Sequence, residues 1–260
     1  MRNHDLKKFY DGVYQRGEKG HYSKLLFGGK ITEEKREILK SMNWKGKRVL
    51  DVGCGTGELA FLIGSRGAKE VIGIDYSYSA IHIAKQSYKL PELVYKCMDV
   101  RNVTGQFDVI TLVGILEHID KPEELLIKAK RLLKKGGSII VTCPNWSNPR
   151  GYILQTLRHL FSAKITLVDI HYFTPIFFQK MAAKTGMKLS WKTIEQDWGH
   201  GGKMIKDFRK RLPNVLKDIA CAGKDKNISD FIDWLDHMAL PLEKNQKWSG
   251  ATGFYHFKKM

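Results

Sequence analysis

Val49–Ala60 reads VLDVGCGTGELA: an apolar run ends on Asp51, and Gly53, Gly55 and Gly57 then fall at every second position before a helix-like segment. Glycine is needed there on steric grounds. A strand that turns sharply into a helix visits positive φ, and bare backbone leaves room for a ligand to approach. The free N–H groups and partial positive charge at the start of the next helix favour a carboxylate or phosphate. The loop therefore predicts a nucleotide-like ligand. The dinucleotide fingerprint would place its third glycine where Glu58 stands, and a phosphate loop would end in GK followed by Ser or Thr, which is absent.

The spacing continues in register. EVIGID over Glu70–Asp75 is an apolar strand closing on a carboxylate about 20 residues past the glycines, the place for a ribose-hydroxyl ligand. LVYKC leads to Met98 and Asp99, FDVITLV over Phe107–Val113 runs into GILEHID, and SIIVTCP over Ser138–Pro144 follows a helix stopped by the Lys134–Gly137 KKGG turn. Strands alternating with helical patterns predict an open α/β sheet, whose ligands bind beyond the carboxyl ends of the strands. Asp99, as a lone acid after a strand, also suits the cap of the next turn.

The GxGxG loop behind an acidic residue resembles motif I of the class I S-adenosylmethionine (SAM) dependent methyltransferases. That resemblance implies a Rossmann-like, seven-stranded sheet with helices on both faces and SAM as cofactor. The cofactor set it implies is Asp51, Gly53, Cys54, Gly55 and Gly57 from the loop, Asp75 for the ribose, Tyr76, Met98 and Asp99 around the adenine, and Val113 at the end of the fourth strand. Within that family the order of motifs resembles the small-molecule branch that includes the ubiquinone-pathway O-methyltransferases: DVGCGTG at Asp51–Gly57, GID at Gly73–Asp75, LEHI at Leu116–Ile119, KKGG, TCPN at Thr142–Asn145 and HYFTP at His171–Pro175. The resemblance covers roughly residues 45 to 190. Some of those relatives hold a divalent cation with an acid three positions before the Glu-His pair; here that position is Gly114, leaving only Glu117 and His118 for an oxygen-rich site. No metal is expected.

Methyl transfer requires an aligned nucleophile, a dry site and, for a hydroxyl acceptor, removal of a proton. Histidine titrates in the right range. His118, just after the fourth strand with Glu117 beside it, and His171, before the next helix, are the candidate catalytic residues.

The chain has 260 residues, 43% of them hydrophobic, enough for one large domain rather than two. Its expected organisation is a single domain over 1–260: an N-terminal lid segment over 1–43, a core over 44–197 with a helix inserted at 146–164, a helical cap over 198–250 and a closing strand over 251–260. The closing strand would complete an antiparallel sheet edge. The leader carries Tyr10, Tyr14, His21 and Tyr22 as pocket candidates, and Thr32 followed by Glu33 and Glu34 predicts a capped helix. In the insert, Ile153, Leu157, Leu160 and Phe161 recur at helical spacing beside Arg150, Arg158, His159 and Lys164. Such a helix either packs on its own domain, closes a lid over an apolar substrate, or lies in a membrane interface. GHGG over Gly199–Gly202 reads as a turn.

Net charge is +17. An anionic partner fits that balance: a phosphorylated small molecule, nucleic acid or an anionic membrane surface, with a solvated lysine face as the plain alternative. The motif [DN]PP[YFW] of base-amine methyltransferases is absent where Val113–Leu116 reads VGIL, which lowers the nucleic-acid reading. With no long apolar stretch and no secretory hydrophobic core, the expected address is cytoplasmic, with peripheral membrane contact as a variant. Cys54, Cys97, Cys143 and Cys221 lack metal or disulfide spacing and read as reduced thiols. The expected function is SAM-dependent methyl transfer to a small-molecule acceptor, apolar or anionic, at oxygen. The alternatives are an RNA methyltransferase using the basic surface, or a SAM-binding subunit without catalysis.

Overall fold

A computed structural model describes residues 31–166, 168–219, 225–239 and 247–260. Tyr10, Tyr14, His21, Tyr22 and Cys221 lie outside them. In chain order the elements are α1 (Glu33–Lys40), β1 (Arg48–Val52), α2 (Glu58–Gly64), β2 (Glu70–Asp75), α3 (Tyr78–Ser87), β3 (Leu93–Cys97), β4 (Phe107–Val113), α4 (Pro122–Leu132), β5 (Leu133–Pro144), α5 (Pro149–Phe161), α6 (Pro175–Thr185), β6 (Lys188–Ile194), α7 (Gln196–His200), α8 (Gly202–Asp218), α9 (Asp225–Trp234) and β7 (Thr252–Lys258).

The strands form one seven-stranded sheet in the order β3-β2-β1-β4-β5-β7-β6. β1 to β5 run parallel, and β7 pairs antiparallel with both β5 and β6. The closing strand is thus antiparallel as expected, but it is interior: β6 forms the edge. Successive residues of a strand face opposite sides, and both sides are filled. Leu50, Ile110, Leu112, Ile139 and Val141 meet α4 and α6 on one face. Val49, Val71, Val109 and Ile140 meet α1, α2 and α3 on the other.

A third apolar cluster joins Trp146 and Leu154 to Met204, Phe208, Leu212 and Ile232, and so binds the inserted helix to α8 and α9. Within α5 the expected stripe is only half right. Ile153 and Leu157 pack into that cluster, but Leu160 is 71% and Phe161 53% exposed, while Gly151 and Leu154 are buried. Gly151 turns inward because a side chain there would strike the Trp146 carbonyl, 2.3 Å from the Cβ position. Asn148 caps the helix through Oδ1, accepting the Gly151 N–H at 2.6 Å.

Two local expectations are corrected. KKGG does not end a helix: α4 stops at Leu132, and the basic residues and glycines already belong to β5. GHGG is not an open turn: His200 ends α7, Gly202 begins α8, and Gly199 packs so closely on the Ser249 carbonyl that a Cβ would lie 2.0 Å from it. The capped helix behind Thr32 forms as expected, with the Thr32 hydroxyl accepting the Lys35 N–H at 3.2 Å. Pro175 opens α6 and Gly186, in the left-handed conformation, ends it. Among the described residues no helix is long and apolar enough to cross a membrane.

Candidate active site

β1, β2, β3 and β4 all end at one rim of the sheet, and there a cavity of about 1310 Å³ opens. Three positive-φ glycines shape the loop that leaves β1: Gly53 at +68°, Gly55 at +51° and Gly57 at +86°. A Cβ on Gly53 would sit 2.5 Å from Ile115. Gly57 acts differently. It caps α2, its carbonyl accepts the Tyr95 hydroxyl at 2.9 Å, and it stays off the cavity wall.

Asp51, Gly53, Cys54, Gly55, Asp75, Tyr76, Met98, Asp99, Val113 and His118 all line the cavity. Asp51 is buried, accepts the Thr111 hydroxyl at 2.6 Å through Oδ1, and leaves Oδ2 without a hydrogen bond. Burial pushes its carboxyl up to about 7. Asp75 takes the Gly55 N–H at 3.0 Å on Oδ2 and the Ser77 N–H at 2.8 Å on Oδ1, which fixes it at the loop. Asp99 caps the 3₁₀ turn Val100–Asn102 and receives Arg101 Nε at 3.0 Å; the guanidinium holds its carboxyl below the usual range. So Asp99 combines both roles its position allows, a cap and a cavity wall. An acidic rim with one unsatisfied buried oxygen suits a ligand that brings hydroxyls and positive charge. Glycines that forbid side chains where backbone must approach fit the same ligand.

His118 lies in the 3₁₀ turn Leu116–His118 beyond β4. Its Nδ1 stands 3.4 Å from the Val168 carbonyl and 3.4 Å from Asp169 Oδ1. Donation from Nδ1 to the Val168 carbonyl leaves the ring lone pair on Nε2, with the Asp169 carboxyl alongside. Burial lowers the imidazole below its ordinary value, so it is neutral at pH 7.

Glu117 and His171 do not reach the cavity wall. The Glu117 carbonyl accepts the backbone N–H groups of Ile170 at 2.9 Å and His171 at 3.1 Å, pinning that segment behind the turn. His171 places Nε2 on the Ile119 carbonyl at 2.8 Å and stacks on Phe173, away from the cavity wall. No α5 residue lines the cavity either, so the inserted helix does not act as its lid in this conformation. Gly114, with φ +62°, stands where an acid would be needed beside Glu117 and His118. Among the described residues no group of three or more His, Cys, Asp and Glu side chains is placed to hold a metal ion.

Several residues at the site escaped the sequence reading. Glu34 and Lys35 reach the cavity from the first turn of α1, and Lys35 pairs with Glu58 at the start of α2. Their surface-helix pattern gave no sign of this. Asp169 becomes a partner of His118 only through chain folding, since 50 residues separate Val168 from His118.

A methyltransferase-domain family matches residues 27–190. Curated relatives named ubiquinone biosynthesis O-methyltransferase include one from Coxiella burnetii, 36% identical over 113 residues that cover 42% of this chain and 48% of the relative. Another, from Acinetobacter baylyi, is 32% identical over 119 residues, 43% and 49% of the two chains. The chain therefore spans about half the length of the curated relatives it matches. Among solved structures, the magnesium protoporphyrin IX methyltransferase of Synechocystis, solved with bound S-adenosylhomocysteine (SAH), superposes with TM-score 0.57 at 15% identity, over 71% of this chain and 89% of that one. A Haloferax volcanii chain solved with a methyltransferase activator superposes with TM-score 0.61 at 14% identity, over 98% and 96%. At such identity the likeness is one of fold. With the family match spanning well over half its residues, the chain belongs to the methyltransferase-domain family and carries the class I SAM-dependent methyltransferase fold.

Proposed function

We propose that this chain transfers a methyl group from SAM to a small-molecule acceptor, at oxygen. The observation that carries the proposal is one cavity walled by Asp51, Asp75 and Asp99 at the strand ends and by neutral His118 on the β4 side. The names of the curated relatives support an oxygen acceptor.

When bound, SAM supplies an electrophilic methyl group on a positively charged sulfur. Asp75, already oriented by Gly55 and Ser77, is the residue to hold the ribose hydroxyls. Met98, Asp99 and Tyr76 would flank the adenine, and the bare backbone of Gly53 and Gly55 would admit the remainder. The unsatisfied oxygen of Asp51 favours the cationic end of the ligand over a neutral one.

His118 takes the acceptor's proton at Nε2, while the Val168 carbonyl holds the Nδ1–H and the Asp169 carboxyl, 3.4 Å from Nδ1, steadies the imidazolium that results. Ile74, Leu125 and Ile127 add apolar wall that limits water around the acceptor. The test is product formation. Purified protein incubated with labelled SAM and a panel of small phenols and alcohols should yield SAH and methyl ethers. SAH formation only with RNA in the mixture would overturn the small-molecule reading.

A further inference from the structure

The stretch that faces His118, with Val168 and Asp169, belongs to no helix or strand, so its place depends on how its two ends are held. The far end is fixed by the Glu117 carbonyl, which accepts the N–H groups of Ile170 and His171. The near end leaves α5 through Ala163 and Ile165, both buried in the third apolar cluster. There the Ile165 carbonyl accepts Arg211 Nη1 at 3.0 Å, from the middle of α8. Between the two ends, the Asp169 carbonyl accepts the Tyr172 hydroxyl at 3.3 Å and the Thr166 hydroxyl at 3.4 Å.

Arg211 is held in turn. Asp207 lies one turn earlier on α8, where residues four apart are neighbours. Its Oδ2 accepts Arg211 Nε at 3.0 Å and its Oδ1 accepts Nη2 at 3.3 Å, so a planar, bidentate fork aims Nη1 at Ile165. Arg150 Nε of α5 reaches the same Asp207 Oδ2 at 3.3 Å. One carboxylate therefore joins α5, α8 and, through Arg211, the stretch that turns back to His118. Met204, Phe208, Leu212 and Val215 anchor α8 beside it in the third cluster. Val168 follows Ile165 by only three residues, so the direction of the Ile165 carbonyl is felt at the oxygen that faces Nδ1.

That oxygen has a competitor. Glu117 Oε1 lies 4.0 Å from His118 Nε2, while the Val168 carbonyl and Asp169 Oδ1 each lie 3.4 Å from Nδ1. Both ring nitrogens thus have an acceptor in reach, and the closer side decides which one carries the proton. We propose that Arg211 and Asp207 are positioning residues for His118: through the Ile165 carbonyl they set the place of Val168 and Asp169, and so keep the proton on Nδ1. The proposal rests on the methyl-transfer reading, in which Nε2 must keep its lone pair. Neither residue lines the cavity, and α8 acts as a brace behind the base. Lysine does not replace arginine here, because one ammonium lacks the fork that meets Asp207 and Ile165 at once.

The experiment uses the full chain saturated with SAH and isotope-labelled at its histidine ring nitrogens. Their NMR shifts report the tautomer, and the His118 signals are assigned by their absence in H118N. R211A is expected to lower the ratio of Nδ1–H to Nε2–H in His118 by about two- to tenfold, the equivalent of one hydrogen bond, with SAH affinity unchanged. R211K should behave like R211A. R209A is the control: Arg209 lies on the same helix and bonds Asp233 of α9 at 2.9 Å, so its loss should leave the ratio at the wild-type value. If R211A fails to fold, the near-isosteric D207N loosens the same fork and should show the drop. A wild-type ratio in R211A, or in D207N where R211A is unfolded, overturns the proposal, as does a ratio restored by R211K or an equal drop in R209A. Absence of SAH binding by the wild-type protein is a separate result that overturns the cofactor assignment, and the His118 comparison is then read on the protein alone.

Discussion

Asp75 holds Gly55: its Oδ2 accepts the Gly55 backbone N–H at 3.0 Å, while Oδ1 accepts that of Ser77 at 2.8 Å. One carboxylate thus ties the loop after β1 to the turn after β2, so that this wall of the cavity is built before any ligand arrives. Preorganisation of this kind lowers the ordering cost of binding.

Replacing Asp75 by alanine removes both the hydroxyl acceptor and the tie. Hydrogen bonds to a charged group contribute ~1.5–3 kcal/mol each, so D75A should weaken SAM binding by about 100-fold. Titration calorimetry on the variant checks this; an affinity within a factor of about three of wild type would remove Asp75 from the cofactor site.

His118→Ala should lower kcat by about 10² to 10⁴ while SAM affinity is retained, as for loss of a general base. Because burial lowers the His118 pKa, the acid limb of the pH–rate profile should fall below 6.5. D169N should reduce kcat more modestly, by about tenfold, and move that limb. Unchanged turnover in H118A assigns the proton transfer elsewhere.

The fold should lose stability as pH rises. Glu117 is raised in the folded state from 4.5 to about 8, so its stabilising contribution is complete below 4.5 and is lost as pH climbs through 8. Asp51, raised from 3.8 to about 7, acts in the same direction. His118, whose pKa is lowered, has the opposite sign and costs stability as pH falls below 6.5. In urea titrations between about pH 5 and pH 9, E117Q should therefore gain on wild type toward the alkaline end. A constant difference across that range would mean that Glu117 titrates normally.

Two glycine substitutions separate backbone strain from steric conflict. Gly136 has φ +73° with nothing within 4 Å of its Cβ position, so G136A should cost about 1 kcal/mol. At Gly57, φ is +86° and the Cβ would meet the Tyr95 hydroxyl at 2.5 Å, so G57A should cost ~2–4 kcal/mol. Equal midpoints for the two variants in denaturant would contradict the packing described at Tyr95.

The sheet and the strand-end acids that line the cavity were legible because their signals are local. Glycine spacing, acids at strand ends and short apolar runs each occupy a few consecutive residues. The place of β7 was less so, since a strand's neighbours depend on where the preceding helices leave the chain. His171 shows a limit of another kind. Proximity in sequence to the expected substrate side could not reveal that the Ile119 carbonyl takes its ring nitrogen. Glu34 and Asp169 were invisible for a related reason. Each looks like an ordinary acid near a helix start, and only folding brings α1 and the stretch before α6 against the end of β4.

Calorimetric titration of the full chain with SAM and with SAH, after removal of any copurified ligand, tests the central claim most directly. Micromolar, one-to-one binding of both is predicted, weakened about 100-fold in D75A. No heat from either ligand, in protein shown by its cooperative unfolding to be folded, would contradict the assignment of the glycine loop and its acidic rim to this cofactor.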